Sequence, residues 1–356
     1  MSESDPRILI ISDVHLGALN SNLDQFSLFL NKIINGEFGN NLQALIILGD
    51  LLDLGTTVKR TFFTDEKITS ILTQLLEIKK KIHIIFVPGN HEIPVTSSLT
   101  SGNYDEKFKR RKEKFLNEFM NSIVEELFAS NMVCQYIILS RWENESTLLL
   151  YDSQDQIYKD PIQIIKINKL DLEENYKCLM VHGYQFDSDT VRFFVAPFWK
   201  SMLSYQNIEI KEVSNYFYNV IIKEHRKIKP ITIEDMKSDI KRIRQLSSED
   251  IDAIFSDLSN LEFNLVKLNM RAIKKWRNAR SSTYYIDGIK EFLEEVKCDF
   301  SLITHVIYGH SHIKGMLDEV INNQKIQITN CGTWQHSDPS YVEILYEGKI
   351  NLKSPN

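Results

Sequence analysis

The run RILIISD, residues 7–13, is short and apolar without alternation, which predicts a strand buried on both faces. NLDQFSLFLNKIIN (22–35) instead places Phe26, Phe29, Leu30, Ile33 and Ile34 on one helical face. ALIILGD (44–50) repeats the strand pattern. DEKITSILTQLLEIKKK (65–81) is an amphipathic helix whose basic C-terminal end suits its dipole. IHIIFVPGN (82–90) reads as a third strand. This βαβαβ order predicts a parallel sheet covered by helices.

The rhythm then changes. A polar loop (92–104) leads into a charged helix over 105–129, followed by the β-like runs VCQYIILS, TLLLYDS and PIQIIKI and by KCLMVHG (177–183). From 190 to 298 nearly everything reads as helix. Strand patterns return in THVIYGH (304–310), GMLDEVI, KIQITN and YVEILYEGKI, with Asn322 and Asn323 as a hairpin turn. The expected organisation is a core of residues 1–189 and 300–356, with a helical cap of residues 190–299 inserted between two of its strands.

Composition narrows the class. Charged residues make up 25% and the net charge is -6, which argues against a nucleic-acid coat or a polybasic membrane surface. The four cysteines, Cys134, Cys178, Cys298 and Cys331, form no CxxC pair and read as reduced thiols. MSESDPRILI has neither a basic start nor a long apolar stretch, so no signal peptide is expected, and no run reaches the ~18 apolar residues of a membrane span. A cytoplasmic protein without a transmembrane segment is the expectation.

The chemistry gathers where strands end, which is where open α/β sheets place ligands. The first strand ends in SDVH (Asp13, His15), the second in GDLLD (Asp50, Asp53) and the third in GNHE (Asn90, His91, Glu92). A later strand ends in VHGYQFD (His182, Asp187), and the last in GHSH (His310, His312). Imidazole, carboxylate and amide oxygen without thiolate suit divalent ions such as Mn²⁺, Fe²⁺ and Zn²⁺. Seven or eight donors are too many for one tetrahedral ion and fit two ions, which at about 3.5–4 Å apart clamp the attacking and leaving oxygens of a phosphoryl transfer. His83, His225, His305 and His336 read as ordinary core or surface residues. Cys331 and Trp334 read as packing residues, and Glu92 as a supporting or solvated carboxylate.

The ordered set DVH, GDLLD, GNHE, VHG and GHSH resembles the calcineurin-like metallophosphoesterase superfamily over residues 13–312. The resemblance implies a four-layer α/β/β/α sandwich with a dimetal centre at one edge. It assigns Asp13, His15 and His312 to one metal, Asn90, His182 and His310 to the other, and Asp50 to both. It makes His91 the general acid, oriented by Asp53, and a metal-bridging hydroxide the nucleophile. Mn²⁺ is the first choice of ion, with Fe²⁺, Zn²⁺ and Mg²⁺ as alternatives. From the residues themselves, His310 and His312, at i and i+2 of a strand-like segment, are expected to point the same way toward adjacent ions, with Gly309 letting the backbone approach closely.

Leu54 stands where the protein serine/threonine phosphatases have arginine after GDxxD, so that branch is disfavoured. The cap between VHG and GHSH is placed as in the UDP-2,3-diacylglucosamine pyrophosphohydrolase group, and HGYQFD is similar to that group's HGxxxD. The aromatic stretch VRFFVAPFWKSMLSY (191–205) suits cap packing, an acyl pocket or a membrane surface. Residues 191–300 carry 19 Lys+Arg against 16 Asp+Glu. Their surplus includes Arg271, Lys274 and Lys275, which with Lys59, Arg60 and Asp187 are candidate substrate contacts. The expected activity is hydrolysis of a small phosphodiester or pyrophosphate, nucleotide- or lipid-linked. A nuclease or phosphomonoesterase is the alternative within the chemistry, and nucleic acid is the less favoured substrate. A non-catalytic interaction subunit is the alternative outside it.

Overall fold

The computed structural model describes residues 5–18, 21–53, 65–89, 92, 127, 133–151, 161–186, 286, 288–290, 292–293, 303–321, 323–335 and 338–355. By its contacts the chain divides into two units, Met1–Leu54 with Lys59–Tyr184 and Ile289–Asn356, and Gly55–Val58 with Gln185–Gly288. The second unit lies almost wholly outside the described residues. So do the helix expected over 105–129, apart from Leu127, and the cap expected over 190–299, apart from a few positions near its end. All described strands belong to the first unit.

The three early apolar runs form β1 (Ile8–Ile11), β2 (Ala44–Leu48) and β3 (His83–Val87), paired in parallel in that order. α1 (Leu23–Ile34) connects β1 to β2, and α2 (Glu66–Lys79) leads into β3. Asn22 and Asp65 start these helices by accepting backbone N–H bonds from Gln25 and from Lys67 and Ile68. Every residue of β1 and β2 is buried because both sheet faces are covered. Leu9, Ile11, Leu45 and Ile47 face Phe26, Phe29 and Leu30 of α1 and Leu72 and Leu75 of α2. Ile8, Ile10, Ala44, Ile46 and Leu48 face the other way, into a core shared with a second sheet.

That second sheet contains β4 (Tyr136–Trp142), β5 (Glu145–Tyr151), β6 (Gln163–Lys166), β7 (Lys177–Met180), β8 (His305–Tyr308), β9 (Gly315–Ile321) and β10 (Gln324–Asn330). Its spatial order is β6-β5-β4-β7-β8-β10-β9. Ile137, Leu139, Leu148, Leu150, Cys178, Met180 and Ile307 pack inward against the first sheet. The alternate residues Ile138, Leu149, Leu179, Val306 and Ile328 are buried as well, so the outer face of the central strands is also covered, while Ile164 of β6 and Val320 of β9 at the edges are exposed. The architecture is an α/β sandwich. β7 and β8 are parallel neighbours, with Met180 opposite Ile307, so the chain must cross over between them.

The run YVEILYEGKI, read as one strand, is a hairpin. β11 (Tyr341–Ile344) and β12 (Ile350–Lys353) pair antiparallel and extend the first sheet to β12-β11-β1-β2-β3. Gly348, at φ +77°, turns the chain, and its N–H donates to Leu345 O at 3.0 Å. β9 and β10 pair antiparallel from Ile321 and Gln324 outward, with Asn323 at φ +65° in the short link between them. No helix among the described residues is long and apolar enough to cross a membrane.

Candidate metal centre

The ends of β1, β2, β7 and β8 converge. Asp13 N–H donates to Gly49 O (3.1 Å), His15 N–H to Asp50 O (2.8 Å) and Leu16 N–H to Leu51 O (2.7 Å), so the loops after β1 and β2 are laced together. Gly309 N–H donates to His182 O at 2.8 Å, which joins the loops after β7 and β8. His310 N–H then donates to Asp13 Oδ2 at 2.8 Å and links the two sheets. A Cβ on Gly309 would lie 1.8 Å from Ser12 Oγ and 2.4 Å from Asp13 Oδ2. Only glycine permits this approach.

Two donor groups result. Asp13, His15 and His312 bring one ligand atom each within 4.8 Å of one another, and Asp50, His182 and His310 do the same. In the first group the Nε2 atoms of His15 and His312 are 3.1 Å apart, and Asp13 Oδ1 lies 3.2 Å from His312 Nε2 and 3.7 Å from His15 Nε2. Asp13 Oδ1 is buried and makes no hydrogen bond, while its Oδ2 is held by His310 N–H. One oxygen is thus fixed by the protein and the other is aimed into the cluster. In the second group Asp50 Oδ2 lies 3.3 Å from His182 Nε2 and also 3.7 Å from His15 Nε2, so it faces both groups. His182 Nδ1 lies 2.6 Å from Leu48 O; it must donate there, which leaves Nε2 to face Asp50, protonated in the metal-free protein and able to offer its lone pair to a cation once that proton is lost.

These residues fit cations. Three buried acids, Asp13, Asp50 and Glu92, accompany four imidazoles, and neither donor group includes a thiol, a set suited to borderline divalent ions. Burial pushes the Asp13 carboxyl up, but the imidazoles of His15 and His312 outweigh it and hold it well below the usual range. Burial pushes His182 down, yet the Asp50 carboxylate beside it carries the imidazole up to about 9. Burial, and then the charge of Asp50, raise Glu92 to about 8. A cation placed among these groups would relieve the repulsion between the carboxylates and displace the proton from His182.

Five of the nine non-glycine residues with positive φ among the described residues belong to the cluster: Asp13 (54°), His15 (52°), Asp50 (50°), His310 (68°) and His312 (60°). Such backbone is disfavoured for residues with a Cβ and concentrates at functional sites. It also corrects one argument from the sequence. β8 ends at Tyr308, so His310 and His312 do not project alike from extended chain. They flank a tight turn, in which Ser311 N–H donates to Gly309 O at 2.7 Å, and each reaches a different group.

The structure brings Asp13, His15, Asp50, His182, His310 and His312 together and buries Asp53 on the loop after β2, its N–H bonded to Leu16 O at 2.9 Å. Asn90, His91, Lys59, Arg60, Asp187, Arg271, Lys274 and Lys275 lie outside the described residues. Sequence reasoning missed the anchors. Asn330 Nδ2 donates to Ser311 Oγ (2.6 Å), holding the GHSH turn, and Thr333 Oγ1 and Trp334 N–H both donate to Asp13 O. Glu92, read as supporting or solvated, is fully buried and accepts three backbone N–H bonds. The available signals were an acid directly after GNH and a polar TNCGT at a strand end.

A family model described as calcineurin-like phosphoesterase matches residues 6–198. Among curated proteins none matches the sequence. Among solved structures, the chain is similar to a dimetal phosphatase from Danio rerio, with 10% identity and a TM-score of 0.37 over 98% of this chain and 96% of that one. It is similar to a 5′-nucleotidase from Candida albicans, with 12% identity and a TM-score of 0.35 over 100% of this chain but 53% of that one, about half the nucleotidase's length. A third is GAP50, the anchor in the inner membrane complex of Plasmodium, with 9% identity and a TM-score of 0.32 over 98% of this chain and 83% of that one.

Proposed function

Because the chain belongs to the calcineurin-like phosphoesterase family, we propose that it is a two-metal hydrolase of a small phosphodiester or pyrophosphate, nucleotide- or lipid-linked. The observation that carries this reading is Asp50 Oδ2, which belongs to one three-residue donor group and also faces the other. Asp13, His15 and His312 would hold one divalent ion and Asp50, His182 and His310 the other, with Asn90 completing the second set and Asp50 shared. Two such ions, when bound, lower the pKa of water and neutralise charge on a phosphoryl group.

The chain's own groups do the rest. Leu48 O fixes the His182 tautomer, and His310 N–H fixes which Asp13 oxygen is presented. His91 is assigned protonation of the leaving oxygen and Asp53 its orientation, by a carboxylate–imidazole hydrogen bond. Lys59, Arg60, Asp187, Arg271, Lys274 and Lys275 are the proposed substrate contacts, the last three from a cap over 190–299. Mn²⁺ is the proposed ion and the cytoplasm the proposed location.

The test is hydrolysis of bis-p-nitrophenyl phosphate and p-nitrophenyl phosphate by metal-stripped protein with Mn²⁺, Mg²⁺ or Zn²⁺ restored. The expected result is metal-dependent turnover, faster on the diester, that falls by at least about 10²-fold in Asp50→Ala. Faster turnover of the monoester would move the assignment to a phosphomonoesterase. Turnover indifferent to metal and to Asp50 would overturn the reading.

A further inference from the structure

β2 stops at Leu48, and the next two residues, Gly49 and Asp50, both take left-handed backbone, at φ +77° and +50°. For Asp50 that conformation is unfavourable by itself, so something must impose it. The turn also carries the backbone N–H groups of Asp50 and Leu52 away from the sheet ladder into a buried place, where each needs an acceptor.

One side chain provides both. Glu92, with no exposed surface, accepts from Leu52 N–H on Oε1 at 2.7 Å and from Asp50 N–H on Oε2 at 2.9 Å. The same Oε2 accepts from Gly89 N–H at 2.9 Å, so the carboxylate ties the exit of β2 to the exit of β3. A Cβ on Gly89 would lie 2.1 Å from Asp50 Oδ1, so the Asp50 carboxylate is seated directly on the segment that Glu92 closes. All three partners are donors. A carboxylate accepts from all of them, whereas glutamine offers one acceptor oxygen and turns an NH₂ toward at least one N–H.

We propose that Glu92 is a positioning residue that imposes the geometry of Asp50, and through it the donor group Asp50, His182 and His310. This role rests on the two-metal reading of the site. Asp13 has its own anchors in Thr333, Trp334 and the His310 N–H, whereas Asp50 is shared and its carbonyl accepts from His15 N–H, so the effect is largest for the ion of Asp50, His182 and His310 and smaller for the other.

The test is Mn²⁺ titration of wild-type protein, Glu92→Gln and Glu92→Asp, followed by calorimetry and by the low-temperature electron paramagnetic resonance of the bound ions. Wild type is expected to take two equivalents and give a spin-coupled signal. In Glu92→Gln, one equivalent is expected to bind about 10–100-fold more weakly, the other, which depends on Asp50 only in part, to lose less, and the coupled signal to give way to that of isolated Mn²⁺. Should Glu92→Gln not accumulate as folded protein, Glu92→Asp, which keeps the carboxyl group but withdraws it by one methylene, is expected to show a smaller change in the same direction. Two wild-type affinities and an intact coupled signal in the folded variants, even with a lowered melting temperature, would overturn the positioning role. Wild type that binds fewer than two equivalents would instead overturn the two-metal reading beneath it.

Discussion

At the scale of single residues, the cluster is a set of groups that the fold holds in unfavourable states. His182 is fully buried, yet Asp50 and the Leu48 carbonyl keep its imidazole charged up to about pH 9. Its folded-state pKa is therefore above the ordinary value of 6.5. In metal-free protein this charge contributes stability that is complete below about pH 6.5 and lost as pH rises through about 9. A bound cation must displace the same proton. Metal affinity is therefore expected to rise by up to about tenfold per pH unit across that window and to level off above it. Mn²⁺ titrations in buffers of several pH values, with proton release measured, check this. Affinity that does not change with pH would contradict it, and His182→Gln is expected to lose the slope with the site. Such shifts were not legible in the sequence, because they arise from neighbours distant in the chain, Asp50 and Asp13. The identities of the donors were legible, because each follows an apolar run that ends at the same edge of a sheet.

At the scale of elements, the strand ends do the positioning. The exits of β1 and β8 touch through Gly309, whose missing Cβ makes room for Ser12 and the Asp13 carboxylate. Gly309→Ala would force a methyl group to 1.8 Å from Ser12 Oγ. It is expected to cost about 1–3 kcal/mol or more in chemical denaturation and to displace His310 from Asp13 Oδ2, lowering metal affinity. A variant with wild-type stability and wild-type metal binding would show that this contact does not position the site. Strands and helices were readable from periodicity, because a sheet covered on both faces demands continuous apolar runs and α1 and α2 demand one apolar stripe each. The hairpin at β11 and β12 was not, because its sequence is strand-like throughout and only the φ of Gly348 divides it. The turn carrying His310 and His312 was misread for the same reason. The period-two argument assumes extended backbone, and two left-handed histidines cancel it.

At the scale of the molecule, two sheets pack face to face. The parallel strands β1 to β3 of one and β7 and β8 of the other deliver their carboxyl ends to one place. Donors that lie almost 300 residues apart in the chain, such as Asp13 and His310, become hydrogen-bonded neighbours. The order of the five motifs made this legible before any geometry. It could not reveal Asn330 or Thr333, or which groups Glu92 supports, because their role is to satisfy backbone groups whose exposure depends on turns the sequence does not announce. The central claim is that the convergence holds two metal ions. Anomalous X-ray diffraction from crystals grown with Mn²⁺ tests it most directly. The expected result is two peaks about 3.5–4 Å apart, one among Asp13, His15 and His312 and the other among Asp50, His182 and His310, with Asp50 between them. A single peak, or none at these residues, would contradict the account.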